Sequence, residues 1–164
     1  MSFQKQVNAN QALGNVGQIS KAHHSFLNVI PAIAADEFVK VGSFVQSKAA
    51  ATNENEVVGA SGKAISGSIL GVVVRDSLKV AGDSTPTLEV KKGENCAILT
   101  EGSIFIEVNV QAKKGKYVFL KTADGSLGFY NASTQNDYTY TGFRVSKGNE
   151  TATAGLIEIT TARA

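Results

Sequence analysis

"AILTEGSIFIEVNV", residues 97–110, is the most regular passage of this 164-residue chain, and its reading decides the fold. Successive side chains of an extended backbone point to opposite faces. Ile104, Ile106, Val108 and Val110 therefore share one face, and Phe105, Glu107 and Asn109 the other. The Glu101-Gly102 step between two apolar runs predicts a β-hairpin turning at that point. No side chain in the passage is chemically armed; it describes a wall.

The same grammar continues outward in both directions. Helical periodicity is nearly absent, whereas short β-branched runs punctuated by Gly, Asn, Asp and Ser recur to the end of the chain. This predicts an all-β fold, a small β-barrel or β-sandwich with an extended N-terminal arm. Strands are expected near 26–30, 37–47, 68–75, 87–91, 96–100, 103–110, 117–122, 127–130, 138–145 and 155–161. In "TADGSLGF" (122–129), Asp124-Gly125 supplies the positive φ that a tight loop requires, so "KYVFLKT" and "SLGFY" should form a hairpin. Pro31 and Pro86 stand at the ends of apolar runs, where neither removes an inner ladder hydrogen bond.

Two stretches lack core-forming side chains. Residues 47–67, "SKAAATNENEVVGASGKAISG", are rich in Ala, Ser, Gly, Asn and Thr and read as a long surface loop. In residues 1–20, Phe3, Val7, Leu13, Val16 and Ile19 are spaced among Asn, Gln and Gly, which reads as an arm that orders only against a surface. The remainder, 21–164, has the length of one domain. Within it, "VKVGSFVQSKAA" (39–50) echoes "AKKGKYVFLKTA" (112–123), matching Lys40 with Lys113, Gly42 with Gly115 and Phe44 with Tyr117. Two related β units, or one turn grammar used twice, would both produce the echo.

Composition narrows the function classes. Charged residues make up 18% of the chain, below the roughly 25% usual for a soluble domain, which points to contact with other macromolecules. The 16 basic and 14 acidic residues nearly cancel to +2, so no global field would hold a polyanion, and nucleic acid is not an expected partner. No basic head precedes an apolar leader, and no run approaches the eighteen or so apolar residues of a membrane-spanning helix, so synthesis in the cytosol without a membrane partner is expected. Cys96, the one cysteine, sits in a strand pattern as a small buried apolar residue.

Catalytic patterns are missing or fail on inspection. "VVGASGKAIS" (57–66) resembles a phosphate loop, but Gly59 and Gly62 are too close together and Ala64 stands where Ser or Thr should follow Lys63. No nucleophile elbow, C-x-x-C, H-E-x-x-H or EF-hand pattern occurs. His23 and His24 are adjacent and would point to opposite sides of a strand. Asp36, Glu37, Glu54, Glu56, Asp76 and Asp83 fall mostly in turn-like contexts where carboxylates are solvated. No enzyme, cofactor or metal site is expected. The densest basic spots are "EVKKGE" (89–94) and "KKGK" (113–116), the latter followed by Tyr117 and Phe119 in strand alternation.

The order of these features carries more than any one of them. The polar leader, "DEFVKVGSFVQ", "SGSILGVVVRDSL", "VKKGENCAILTEGSIFIEV", "AKKGKYVFLKTADGSLGF" and the closing "AGLIEIT" together resemble the structural cement proteins of tailed bacteriophages. The resemblance spans nearly the whole chain and rests most on "ILTEGSIFIEV" and "KKGKYVFLKTADGSLGF". It implies a capsid decoration protein of the virion, without catalytic activity, that binds the major capsid protein on the outer shell surface. It further implies a homotrimer at three-fold or quasi-three-fold positions. Phe3, Leu13, Val16 and Ile19 would then be capsid-binding anchors of the arm, or else members of a first strand in the barrel. Residues 47–67 map onto no feature of that family. A surface β-domain for adhesion or glycan binding is the alternative that composition leaves open.

Overall fold

The computed structural model describes residues 14–20, 27–49, 51, 53–75, 88–149 and 155–161. Among these there is no helix, and the strands in order are β1 (Asn28–Ala34), β2 (Phe38–Lys40), β3 (Phe44–Ser47), β4 (Glu56–Gly59), β5 (Ile69–Val73), β6 (Glu89–Lys91), β7 (Asn95–Glu101), β8 (Ser103–Val108), β9 (Tyr117–Lys121), β10 (Leu127–Tyr130), β11 (Tyr138–Lys147) and β12 (Gly155–Thr161). β1, β4, β3, β5 and β7 close into a barrel, and β10-β9-β11-β12-β8 form an open sheet. β2 and β6 make a two-stranded ribbon whose Val39 and Val90 join the barrel's core cluster. The expected all-β fold is therefore a barrel and a sheet combined.

Alternation in the barrel wall explains how the two parts hold together. On β3, β5 and β7, Val45, Val73 and Ile98 cluster with Ala32, Ala34 and Val57 inside the barrel. Their chain neighbours Phe44, Val72 and Leu99 turn the other way and pack on Ile104, Ile106, Val118, Leu120, Phe143, Val145, Ile157 and Ile159 of the open sheet. These wall strands are apolar on both faces because each face lines a core. Cys96 is buried on β7, as expected.

The passage 97–110 divides at its middle. Ile104, Ile106 and Val108 do share the core face, and Val110 lies beyond the end of β8 with its side chain exposed. The expected hairpin at Glu101-Gly102 is not formed: β7 belongs to the barrel and β8 to the open sheet, where it pairs with β12. Both edges of β7 are already taken, by β1 and β5, so no ladder is left for β8. Gly102, at φ 131°, turns the chain from one sheet into the other.

Two further expectations are corrected. Residues 37–47 are two strands, split by a turn in which Gly42 has φ 75°. The segment 47–67 is not a loop throughout: β4 lies within it, paired parallel with β1 and antiparallel with β3, and Val57 and Ala60 are fully buried. A two-valine run is too short to announce a strand, and only closure of the barrel gives it partners. The rest of that segment is strapped down. Gln46, buried on β3, accepts from Ser66 N (2.8 Å) and Gly67 N (2.9 Å) and donates to the Ala64 carbonyl (3.1 Å). The Asp36 carboxylate accepts from Gly59 N (2.7 Å) and pairs with Lys63 Nζ at 2.6 Å, so the lysine of the failed phosphate loop is a structural strap.

The hairpin at 122–129 is as expected. β9 and β10 pair in register, Gly125 has φ 65°, and Asp124 accepts from Ser126 N and Oγ at 2.9 and 2.6 Å. Those bonds hold the Asp124 carboxyl below its usual range. Pro31 lies inside β1, not after it. Its partner Ala97 turns its carbonyl to Val74 on the β5 side, so Pro31 N faces away from β7, and β4 pairs with β1 only from Ile33 onward. The missing N–H therefore removes no ladder bond.

Candidate interaction surface

Among the expected arm anchors, Phe3 and Leu13 lie outside the described residues, as do His23, His24, Asp76 and Asp83. Val16 and Ile19 are placed on the body. Ile19 bridges to Ile104 and packs against the core, and the backbone around it extends the sheet past β8. Gly17 N donates to Phe105 O at 2.8 Å, Phe105 N to Gln18 O at 3.1 Å, and Ser20 N to Ser103 O at 2.8 Å. Arg75 N donates to Gly17 O at 2.8 Å from the barrel side, so residues 17–20 both cover the open edge of β8 and stitch the two sheets together.

A cleft of about 620 Å³ opens along the same seam. Its floor includes Phe44, Val108, Leu120 and Leu127, and Lys40, Glu107 and Asp124 supply charge around it. Among the described residues no group of three or more His, Cys, Asp or Glu could hold a metal ion.

The most distinctive surface is the face of the open sheet turned away from the barrel. All four tyrosines of the chain, Tyr117, Tyr130, Tyr138 and Tyr140, stand there around a buried Phe119. Strand pairing puts them on one face: Tyr130 lies opposite Tyr117, Tyr140 opposite Phe119, and Arg144 opposite Tyr117. The rings pack edge to face, with centroids 5.5 Å apart for Tyr117–Tyr140, 5.6 Å for Phe119–Tyr130 and 5.1 Å for Tyr130–Tyr138. The Arg144 guanidinium lies 4.0 Å from the Tyr117 ring centroid and donates to the Tyr117 hydroxyl. Gly128, directly across from Phe119, leaves the space into which the Tyr130 and Tyr138 rings fold.

The environment of this row changes its protonation. Burial raises the Tyr140 hydroxyl above the ordinary tyrosine value and outweighs the opposing pull of Arg144. Tyr130 is raised chiefly by its hydrogen bond with Tyr138, with burial adding to it. Sequence reading placed Tyr117 and Phe119 in a strand but missed the row. Its members come from three strands, and only the pairing of β10, β9 and β11 brings them together.

The basic spots also acquire positions. The turn 113–116 is bonded to the end of β11 through Gly115 N to Val145 O (2.8 Å) and Val145 N to Lys116 O (2.9 Å), which sets its lysines beside Arg144 and Lys147. Lys91 and Lys92 stand at the ribbon turn, at the barrel. Large exposed apolar side chains are scattered: Leu27 and Val29 at the start of β1, Phe38 and Leu88 at the ribbon, and Val110 after β8. Singly exposed residues of this kind are ordinary and define no patch.

Comparison with known proteins covers both sheets. The family model described as "Structural cement protein (E217 gp24/Pam3 gp6)" matches residues 3–162. A chain of "The capsid of Myoviridae Phage XM1" is similar in structure, with a TM-score of 0.59 and 17% identity over 98% of this chain and 97% of that chain. No curated protein matches.

Proposed function

Since the chain belongs to the family of phage structural cement proteins, we propose that it binds the outer surface of the major capsid protein lattice and stabilises the phage head without catalysing a reaction. The observation that carries this reading is the extent of the family match, residues 3–162, which takes in the barrel, the open sheet and the leader that joins them. The architecture is consistent with a load-carrying part. Two sheets share one set of wall strands, and each wall strand has a core on both of its faces.

The physics of such a role needs no reactive residue. A protein that binds the assembled shell and not its separated subunits stabilises the assembled state by mass action. Weak contacts repeated over a lattice add up through effective concentration. In this reading the body, residues 21–164, assembles as a homotrimer at three-fold or quasi-three-fold positions. The arm, residues 1–20, is held at its root by Val16 and Ile19 and carries Phe3 and Leu13 to the neighbouring shell surface. Glycan adhesion has less support. It would use free aromatic faces, whereas the tyrosine rings here are packed against one another.

The test is to mix the purified protein with heads that lack it and to follow its retention on the shell and the resistance of the particles to heat and chelators. Retention with a gain in resistance is expected. Absence of both would overturn the proposal.

A further inference from the structure

Five of the chain's 16 basic residues meet at one corner of the open sheet, although the net charge is only +2. Lys113, Lys114 and Lys116 occupy the turn before β9, Lys147 ends β11, and Arg144 lies between them on the face turned away from the barrel. Backbone bonds hold the parts in place: Gly115 N to Val145 O, Val145 N to Lys116 O, and Asn149 N to Ala112 O at 3.0 Å. Among the described residues none of the four lysines forms an ion pair, whereas Lys48, Lys63 and Lys121 each have a carboxylate partner. Lysines at a strand turn do discourage stray edge pairing, but that role does not call for an arginine in the middle of the adjacent face.

A second observation points to a ligand at the same place. Among the described residues, three buried side-chain polar atoms have no hydrogen-bond partner: Tyr140 Oη, Arg144 Nε and Glu158 Oε1. Two of the three belong to this corner, where the Arg144 side chain acts on the Tyr140 hydroxyl and neither atom gains a bond of full geometry. Buried donors without acceptors are costly, and native proteins retain few of them. Glu158 on β12, an acceptor, is the cross-strand partner of Lys147 and is covered together with its other neighbour Phe105.

We propose that this corner docks an acidic segment of a protein partner, its carboxylates accepting from Arg144 and Tyr140 while Lys113, Lys114, Lys116 and Lys147 form a cationic rim. The inference rests on the cement reading above and deepens it, since the partner is then the shell subunit. Arginine is suited to the task because its planar fork binds a carboxylate through paired hydrogen bonds. Arg144 and Tyr140 are both half-buried, so a change of rotamer brings their donors to an incoming group. Tyr and Arg are also the side chains that dominate binding energy at protein interfaces. A nucleic acid would seek the same charge, but it gains affinity by stacking bases on aromatic faces. Here the rings are packed on one another: Phe119 against Tyr130 and Tyr140, and Tyr130 against Tyr138.

The experiment compares wild type with a K113E/K114E/K116E/K147E variant and with R144Q, each checked for native folding, in binding to heads lacking the protein over a range of salt. A K91E/K92E variant, altered at the ribbon turn, is the control. The rim variant should bind about tenfold or more weaker near 0.15 M salt and lose most of the salt dependence. R144Q should weaken binding with the salt slope retained, and K91E/K92E should match wild type. Equal binding of wild type and rim variant, with equal salt slopes, would overturn the inference while leaving the cement reading intact. So would tighter binding of wild type to a single-stranded oligonucleotide than to heads. If wild type binds no heads, the cement reading fails, and the corner is then judged with poly-L-glutamate. Binding that is lost in the rim variant supports it, and no binding by wild type overturns it.

Discussion

Gly93 and Gly125 hold nearly the same backbone conformation, φ 82° and 65°, yet they answer to different constraints. A methyl group on Gly93 would meet nothing within 4 Å, whereas one on Gly125 would run into the carbonyl of Ala60, where the β9–β10 turn docks on the segment after β4. Gly93→Ala should therefore cost only the left-handed strain, about 1 kcal/mol. Gly125→Ala should cost about 3 kcal/mol or more, because backbone must move as well. Urea denaturation of the two variants measures this, and equal losses would show that the docking contact is not tight. A second residue-scale prediction concerns pH. Tyr130 and Tyr140 hold their protons above the ordinary value of 10.0, so the folded protein keeps protons that the unfolded chain releases. Stability should be intact below pH 10 and decline as pH rises through the raised values. Tyr140→Phe should flatten part of that decline, and an unchanged alkaline profile in the variant would contradict the burial of this hydroxyl.

At the scale of elements, the sharpest prediction falls on β4. Val57 is about 1% exposed, inside a strand that closes the barrel between β1 and β3. Val57→Asp should cost about 4 kcal/mol or prevent folding, since it buries an unpaired charge. If 47–67 were a surface loop, the same change would be nearly neutral in a denaturation experiment. The contrast shows what the sequence could convey. Strands with several apolar residues in alternation, such as β8, β9 and β12, were legible, because period two over five or more residues has one structural meaning. The turns were legible in part, since 40–43 fell inside the single strand expected over 37–47. Lys40–Ser43, Lys91–Glu94 and Lys113–Lys116 share a Lys-x-Gly pattern, and each closes with a bond from its fourth N–H to its first carbonyl, with φ of 75°, 82° and 85° at the glycine. That is the geometry a turn with φ near +80° at its third residue requires. The echo between 39–50 and 112–123 is thus one turn grammar feeding β3 in the barrel and β9 in the sheet. Pairing was not legible. Glu101-Gly102 has hairpin chemistry, but whether β7 and β8 meet depends on β1 and β5, which lie far along the chain. The tyrosine row is hidden for the same reason, being assembled from three strands.

For the molecule as a whole, the shared wall decides how it comes apart. Leu99 is fully buried between the barrel and the open sheet, and its neighbour Ile98 is fully buried inside the barrel. β7 also carries backbone pairing to both β1 and β5, so a defect in its outer face weakens a strand on which the inner core depends. Residues 17–20 add a second reason for coupling, since they hydrogen-bond to β8 on one side and to Arg75, after β5, on the other. Leu99→Ala removes side-chain volume from the core cluster that the two sheets share and should cost about 3 kcal/mol. If the barrel and sheet are one cooperative unit, thermal unfolding of the variant remains a single transition, and hydrogen exchange accelerates together at amides of β1 in the barrel and β12 in the sheet. Two transitions, or faster exchange confined to the sheet, would mean that the barrel stands alone and that load on one sheet is not passed to the other. A protein that reinforces a shell gains from the coupled arrangement, because force applied at the tyrosine face or at the arm's root is then resisted by both cores at once.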